Sequence, residues 1–186
     1  MSPLTITRTT QPKPRVADPD LGFGAVFTDH MLVMDYTQET GWHDARIEPY
    51  GPLTLDPAAL VLHYGQAVFE GFKAFRSSSG EVVLFRPRDH IARLKTSSAR
   101  LCIPAVDEPF ILEALKRLVR LDADWVPRTF GCALYVRAVR GGREPPRRRP
   151  TTPPACWRPR RPRRPASPRS CGWTGRSEPA WRRSGR

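Results

Sequence analysis

The property that most limits what this chain can fold into is a change of character at Arg137. Up to that residue, 12 Arg and 4 Lys balance 16 Asp and Glu, and apolar runs alternate with turn signals. Residues 138–186 hold 15 Arg, no Lys and only two acids, Glu144 and Glu178, with ten prolines between positions 145 and 179. The net charge of +13 therefore belongs wholly to this last segment. A stretch so poor in apolar periodicity buries too little surface to offset its chain entropy, so residues 138–186 are predicted to be a disordered basic tail. The missing lysine narrows its origin. Selection for positive charge accepts Lys and Arg alike, whereas a GC-rich gene read out of frame yields Arg, Pro, Ala and Gly and excludes Lys. The tail is read as frame-shifted. A nucleic-acid-binding tail and a tether to an anionic surface are the competing readings, and any contact with nucleic acid is expected to be non-specific.

The balanced part has the composition of an ordinary globular domain, and its boundaries are set at residues 22–137. Residues 1–21 are polar and contain proline, and are expected to be a flexible lead-in. They hold no apolar core of a secretion signal. No apolar run approaches the roughly 18 residues of a membrane span. A cytoplasmic protein without membrane contact is expected. Cys102, Cys132, Cys156 and Cys171 lie far apart and show no metal-ligand spacing, and the first two read as buried free thiols.

Local patterns give a mixed set of elements. Residues 25–28 and 31–36 read as strands around an Asp29-His30 turn, and 40–53 as a loop. Asp56-Pro57 is a helix start. Residues 70–75 and 81–85 flank Ser77-Ser78-Ser79-Gly80 as a hairpin. Asp89 is expected to cap a helix over 90–101 that buries Ile91, Leu94, Ser98 and Leu101. Asp107-Glu108-Pro109 is expected to open another helix to about residue 121, burying Ile111, Leu115, Leu118 and Val119. Residues 131–136 read as a strand. The fold class is α/β of the α+β kind.

Three features carry possible chemistry. The run from His63 to Phe75 holds Tyr64, Phe69 and two glycines, and reads on its own as an aromatic-rich turn into a strand, its rings filling a core. Arg93 lies within a helix pattern. It is either a solvated surface residue or a phosphate ligand, because a guanidinium matches phosphate oxygens with two parallel hydrogen bonds. Tyr135 and Arg137, two apart in a strand, share a face. That pair suits a carboxylate, although an arginine at a strand end is also commonly just exposed.

Together the runs HYGQAVFEGFKAFR, LFRPRDHIARLKTSSARLCIP, LVRLDADWVP and LYVR resemble, in order and interval, the small N-terminal domain of branched-chain amino-acid aminotransferases, fold-type IV pyridoxal-phosphate enzymes. The resemblance covers roughly residues 20–137. It implies an enzyme that moves an amino group between leucine, isoleucine or valine and 2-oxoglutarate or glutamate, working as a homodimer with pyridoxal 5'-phosphate. It implies that Arg93 holds the cofactor phosphate and that Tyr64 and Phe69 wall the side-chain pocket. Tyr135 and Arg137 would stand near the substrate carboxylate. Tyr64 or the loop bearing Arg137 would serve the neighbouring subunit's site. Other fold-type IV enzymes, or a non-catalytic remnant with a basic nucleic-acid-binding tail, are the alternatives. No metal is implied.

The resemblance also implies a Schiff-base lysine in a large domain that the native-like part does not reach. The four lysines present, Lys13, Lys73, Lys95 and Lys116, match none of the family's positions for it. The chain is expected to be truncated before that lysine and, as these 186 residues, inactive.

Overall fold

A period of two along residues 67–76 puts Glu70, Phe72 and Ala74 on one side of an extended chain and Phe69, Gly71 and Lys73 on the other. In the computed structural model, which describes residues 3–141, this stretch is the central strand of a sheet. The elements in chain order are β1 (Thr5–Ile6), β2 (His30–Thr37), β3 (Gly41–Pro49), α1 (Leu60–Tyr64), β4 (Ala67–Arg76), β5 (Val82–Leu84), α2 (Pro87–Arg100), α3 (Glu108–Leu121) and β6 (Leu134–Gly141). One three-stranded sheet has the order β1-β3-β2 and the other β5-β4-β6. The architecture is α+β, as the sequence predicts. No helix among the described residues is long and apolar enough to cross a membrane.

The second sheet gathers the core on the even-numbered face of β4. Phe72 packs with Ile91 of α2 and Leu115 of α3, and Leu84, Ile111, Leu112, Val136 and Ala138 close around them. Ala74 packs with Val119 and Val126 beside Val82 and Leu134. Helix α2 turns Ile91, Leu94 and Ser98 inward at the expected spacing, but Leu101 is left outside at the helix end. Helix α3 buries Ala114, Leu115 and Val119. It opens at Asp107-Glu108-Pro109 as expected, and Asp107 caps it, accepting the Phe110 N–H at 2.9 Å. The cap expected of Asp89 is not made. Helix α2 begins at Pro87 after Arg86, whose backbone is left-handed (φ 44°), and Asp89 pairs with the Arg86 side chain at 2.5 Å instead.

Several expectations are corrected. Residues 25–28 form no strand. The partner of β2 is β3, in the stretch read as loop, with Leu32 opposite Ile47 and Tyr36 opposite Trp42. The glycine and proline that suggested a loop mark only its ends: Gly41, at φ 68°, closes the turn into β3, and Pro49 is its last residue. Between them Ala45 and Ile47 are fully enclosed.

The lead-in is bonded to the domain. Strand β1 lies parallel to β3, Thr7 donates to the Ile47 carbonyl at 2.8 Å, Thr9 to His30 Nε2 at 3.0 Å and Lys13 to Asp29 Oδ1 at 2.9 Å. Main-chain donors whose acceptors lie 16 or more residues away leave no local pattern to read.

Strand β6 does not stop at the change of character. Positions 138–141, assigned to the disordered tail, continue its pairing with β4 until Gly141 faces Ala67. Arg140 follows Leu134, Val136 and Ala138 on the inward face. Its half-buried guanidinium donates to Ser98 Oγ at 3.0 Å and to the Pro104 carbonyl, and lies 4.9 Å from the Trp42 ring centre. Loss of solvation lowers its pKa from the ordinary value. The rest of the predicted tail, from residue 142, lies outside the described residues. Cys132 is a free, half-buried thiol, whereas Cys102, read as free, is disulfide-bonded.

Phe72 and Asp107 separate the two levels of stabilisation. Phe72→Ala opens a cavity at the junction of β4, α2 and α3 and is expected to cost about 3–5 kcal/mol. Asp107→Ala removes one cap and is expected to cost about 1 kcal/mol. Urea denaturation of the two variants checks the ratio.

Candidate functional site

The outer face of β4 and β6 brings three of the predicted residues together. Along β4, Phe69, Gly71 and Lys73 point away from the helices, and in β6 they meet Val139, Arg137 and Tyr135 respectively. The Arg137 guanidinium lies 4.8 Å from the Phe69 ring centre and 5.8 Å from that of Tyr135, within reach of cation–π attraction. Phe69 is 63% exposed, so this face is open.

Gly71 explains how the rings fit. A Cβ at that position would stand 2.2 Å from Tyr135 Oη and 2.6 Å from its ring carbons. Only glycine lets the tyrosine lie down across β4 beside Arg137. A phenolic hydroxyl and a guanidinium on one open apolar face can take a carboxylate, the Arg through paired N–H donors and the Tyr through its hydroxyl.

Phe23 was not singled out from sequence. It meets Tyr135 edge-on, with ring centres 5.4 Å apart and planes at 63°, and is 82% exposed. Its only sequence signal is the Gly22-Phe23-Gly24 context, a large ring between two small residues in a loop. Tyr64 ends α1 just before Gly65, which turns the chain with φ 60°. Tyr64 is 81% exposed, and its ring contact is with His63, not with Phe69, Tyr135 or Arg137.

Arg93 lies on the other side of the sheet. From α2 it reaches the inward-facing Glu70, with Nε to Oε2 and Nη2 to Oε1 both at 2.5 Å. Glu70 Oε1 also accepts the Gly71 N–H at 2.9 Å and stands 3.3 Å from His90 Nδ1. These bonds, that from Arg93 foremost, hold the Glu70 carboxyl down to about 2 against the opposing effect of its burial. Arg93 itself is 65% exposed, and its Nη1 has no partner among the described residues. Glu70 thus fixes one edge of the guanidinium and leaves the other outward.

The lysines are scattered. Lys13 Nζ donates to the Thr28 carbonyl at 2.9 Å, and Lys95 pairs with Glu108 at 2.6 Å. Lys116 is half-buried on α3, and Lys73 is exposed on the open face. Among the described residues no group of three or more His, Cys, Asp or Glu could hold a metal. A cleft of about 770 Å³ lined by Thr37, Glu39, Trp42, His43 and Asp107 contains none of the predicted site residues.

The chain is similar to several known proteins. Branched-chain-amino-acid aminotransferase 2 of Bacillus subtilis (strain 168) is 55% identical over 135 residues, 72% of this chain and 36% of that protein. Branched-chain-amino-acid transaminase 1 of the same strain is 57% identical over 117 residues, 63% of this chain and 33% of that protein. The branched-chain-amino-acid aminotransferase of Mycolicibacterium smegmatis is 50% identical over 117 residues, 62% of this chain and 32% of that protein. The chain thus spans about a third of the length of the curated relatives it matches. Among solved structures, a branched-chain aminotransferase from Thermoproteus uzoniensis with norvaline aligns with 54% of this chain and 32% of its own, at 26% identity and a TM-score of 0.45. The T.th. branched-chain amino acid aminotransferase complexed with N-(5'-phosphopyridoxyl)-L-glutamate aligns with 53% and 31%, at 26% identity and a TM-score of 0.43. No family model matches the chain.

The Glu70 contacts predict an acid limb in stability. A carboxyl depressed to about 2 from its ordinary 4.5 contributes stability that is complete above 4.5 and lost as pH falls from there towards about 2, because the unfolded chain takes the proton first. Thermal midpoints measured through that window are expected to fall for the wild type and to fall less for Glu70→Gln.

Proposed function

We propose that this chain, whose N-terminal portion is homologous to the branched-chain-amino-acid aminotransferases, is the small-domain portion of such an enzyme and does not itself run the reaction. The whole protein would exchange an amino group between leucine, isoleucine or valine and 2-oxoglutarate, as a homodimer carrying pyridoxal 5'-phosphate. In that reading Phe69, Tyr135 and Arg137 form the substrate side of the site. Tyr135 and Arg137 meet the substrate carboxylate, and Phe69 meets its apolar side chain. Tyr64, remote from these three within the chain, serves a neighbouring subunit. Arg93, held by Glu70, meets the cofactor phosphate with its outward edge.

The observation that carries the reading is the convergence of Phe69, Tyr135 and Arg137 on one open face over Gly71. Their sequence motifs are separated by more than sixty residues.

The described residues by themselves do not fit the cofactor. An aldehyde cofactor supplies an electron sink for chemistry at the amino acid Cα, and needs a shielded amine and a phosphate-binding cation within one span. The amine on the open face, Lys73, is exposed to water. The phosphate-type arginine, Arg93, lies across the sheet from it with one edge occupied. Lys13 and Lys95 are engaged elsewhere, and Lys116 stands on α3. The amine that the reaction uses is therefore assigned to the part of the relatives' length that this chain does not span.

Residues 138–186 are read as an out-of-frame continuation, on the strength of 15 Arg without a Lys. An inward-facing Arg140 after three apolar inward positions supports this, since a native strand would continue with an apolar residue there.

Three measurements test the proposal. The purified 186-residue chain mixed with pyridoxal 5'-phosphate is expected to show no stable cofactor band and no amino transfer from leucine to 2-oxoglutarate. Borohydride reduction of that mixture is expected to give no site-selective adduct, and a dominant adduct on Lys73 with turnover would sink the reading. In the gene, a one-base correction near codon 137 is expected to reopen a longer frame of balanced composition; its failure to do so would remove the frame-shift explanation alone.

A further inference from the structure

The N-terminal segment is held against the domain by a histidine whose two ring nitrogens have opposite, fixed duties. His30 opens β2 and is buried, its side chain 6% exposed, beside an Asp122 side chain 3% exposed. His30 Nδ1 stands 2.6 Å from Asp122 Oδ1, and the His30 main-chain N–H donates to Asp122 Oδ2 at 3.1 Å. An ionised Asp122 can only accept, so Nδ1 carries a proton. On the far side of the ring, Nε2 receives the Thr9 N–H at 3.0 Å, which requires a lone pair there. Both contacts together hold only for the neutral ring protonated at Nδ1.

A second proton has one place to go, Nε2. It replaces the acceptor with a donor that faces the Thr9 N–H. The same proton makes the ring a cation beside Asp122, so the contact within the domain gains while the contact to the segment is lost. The other groups facing the ring do not compensate. From β3, Pro49 stands opposite His30 and brings no charge. Asp29, the neighbour on the same chain, already accepts Lys13 N–H at 2.9 Å and Trp125 Nε1–H at 2.9 Å, and lies 3.6 Å from Arg15. Lys13 in turn lies over Tyr50, 4.3 Å from the ring centre. The Asp29 anchor uses a carboxylate and is indifferent to protonation of an imidazole.

We propose that His30 is an acid-sensitive latch: neutral, it holds residues 5–9 along β3, and protonated, it releases them while the anchor at Lys13 and the core contact to Asp122 stay closed. The release starts at the Thr9 amide and includes the two-residue strand β1, whose parallel pairing with β3 is too short to persist alone. The inference is independent of the aminotransferase reading and stands if that reading fails.

Amide hydrogen exchange, resolved by NMR on the full 186-residue chain, tests it. As the solution is acidified, after correction for intrinsic exchange, protection of the Thr9 amide is expected to fall about tenfold, the worth of one hydrogen bond. Thr7 is expected to follow, and Lys13 and the α3 amides to hold. The midpoint is expected to coincide with titration of the His30 ring followed by its own ¹⁵N shifts. In His30→Gln, whose side-chain oxygen accepts at any pH, the Thr9 response is expected to vanish. Unchanged Thr9 protection, an equal loss at Lys13, or a midpoint apart from that of the His30 ring would overturn the proposal. So would a pH response surviving in His30→Gln. If that variant does not fold, the match of midpoints in the wild-type chain decides.

Discussion

The two-residue period of β4 governs what stands on each side of its sheet. On its inward side Glu70 is a buried acid that only Arg93, the Gly71 N–H and His90 make tolerable, and Phe72 and Ala74 seed the two clusters that bind the helices. On its outward side Gly71 is the one position without a side chain, and Tyr135 lies in that gap. Shifting the strand by one residue would place a carboxylate on the open face and Phe69 and Lys73 in the core. The core and the candidate site therefore depend on the same register.

Charge placement follows from burial. The few ionisable groups drawn inside the domain are each met by a specific partner: Glu70 by Arg93, Asp122 by His30, and Asp29 by the Trp125 indole and the Lys13 amide. An unpaired charge in such a place costs more than most single contacts return. Arg140 departs from this pattern, with a hydroxyl, a carbonyl and an aromatic face around it but no carboxylate facing it among the described residues. It lies just beyond the point at which the composition of the chain changes.

The reach of the sequence is clearest at particular residues. The helix start at Asp107-Glu108-Pro109, the inward spacing of Ile91, Leu94 and Ser98, and the hairpin around residues 77–80 were legible because each depends on neighbours within a few positions. Tyr135 and Arg137 were legible as a pair on one face for the same reason. The N-terminal segment was not. Its partners Ile47, His30 and Asp29 lie far along the chain, and polar residues with proline look the same whether free or fastened down. Strand β3 was missed because its boundary glycine and proline outweighed the few β-branched or aromatic residues between them. Phe23 was missed because a ring in a loop acquires meaning only when another ring arrives beside it.

The sequence by itself determined the two long helices and the hairpin, the periodicities that choose each inward face, the similarity of its motifs to known sequences, and the break in composition beyond Arg137. Tertiary structure alone decided that Phe69, Tyr135 and Arg137 meet while Arg93 stands across the sheet, and that Asp29 and His30 act as anchors rather than as a turn. The physical reason is range. Capping, turn geometry and amphipathic period are set by atoms a few bonds apart, whereas the register between β4 and β6 and the tautomer of His30 are set by groups that only the folded chain brings together.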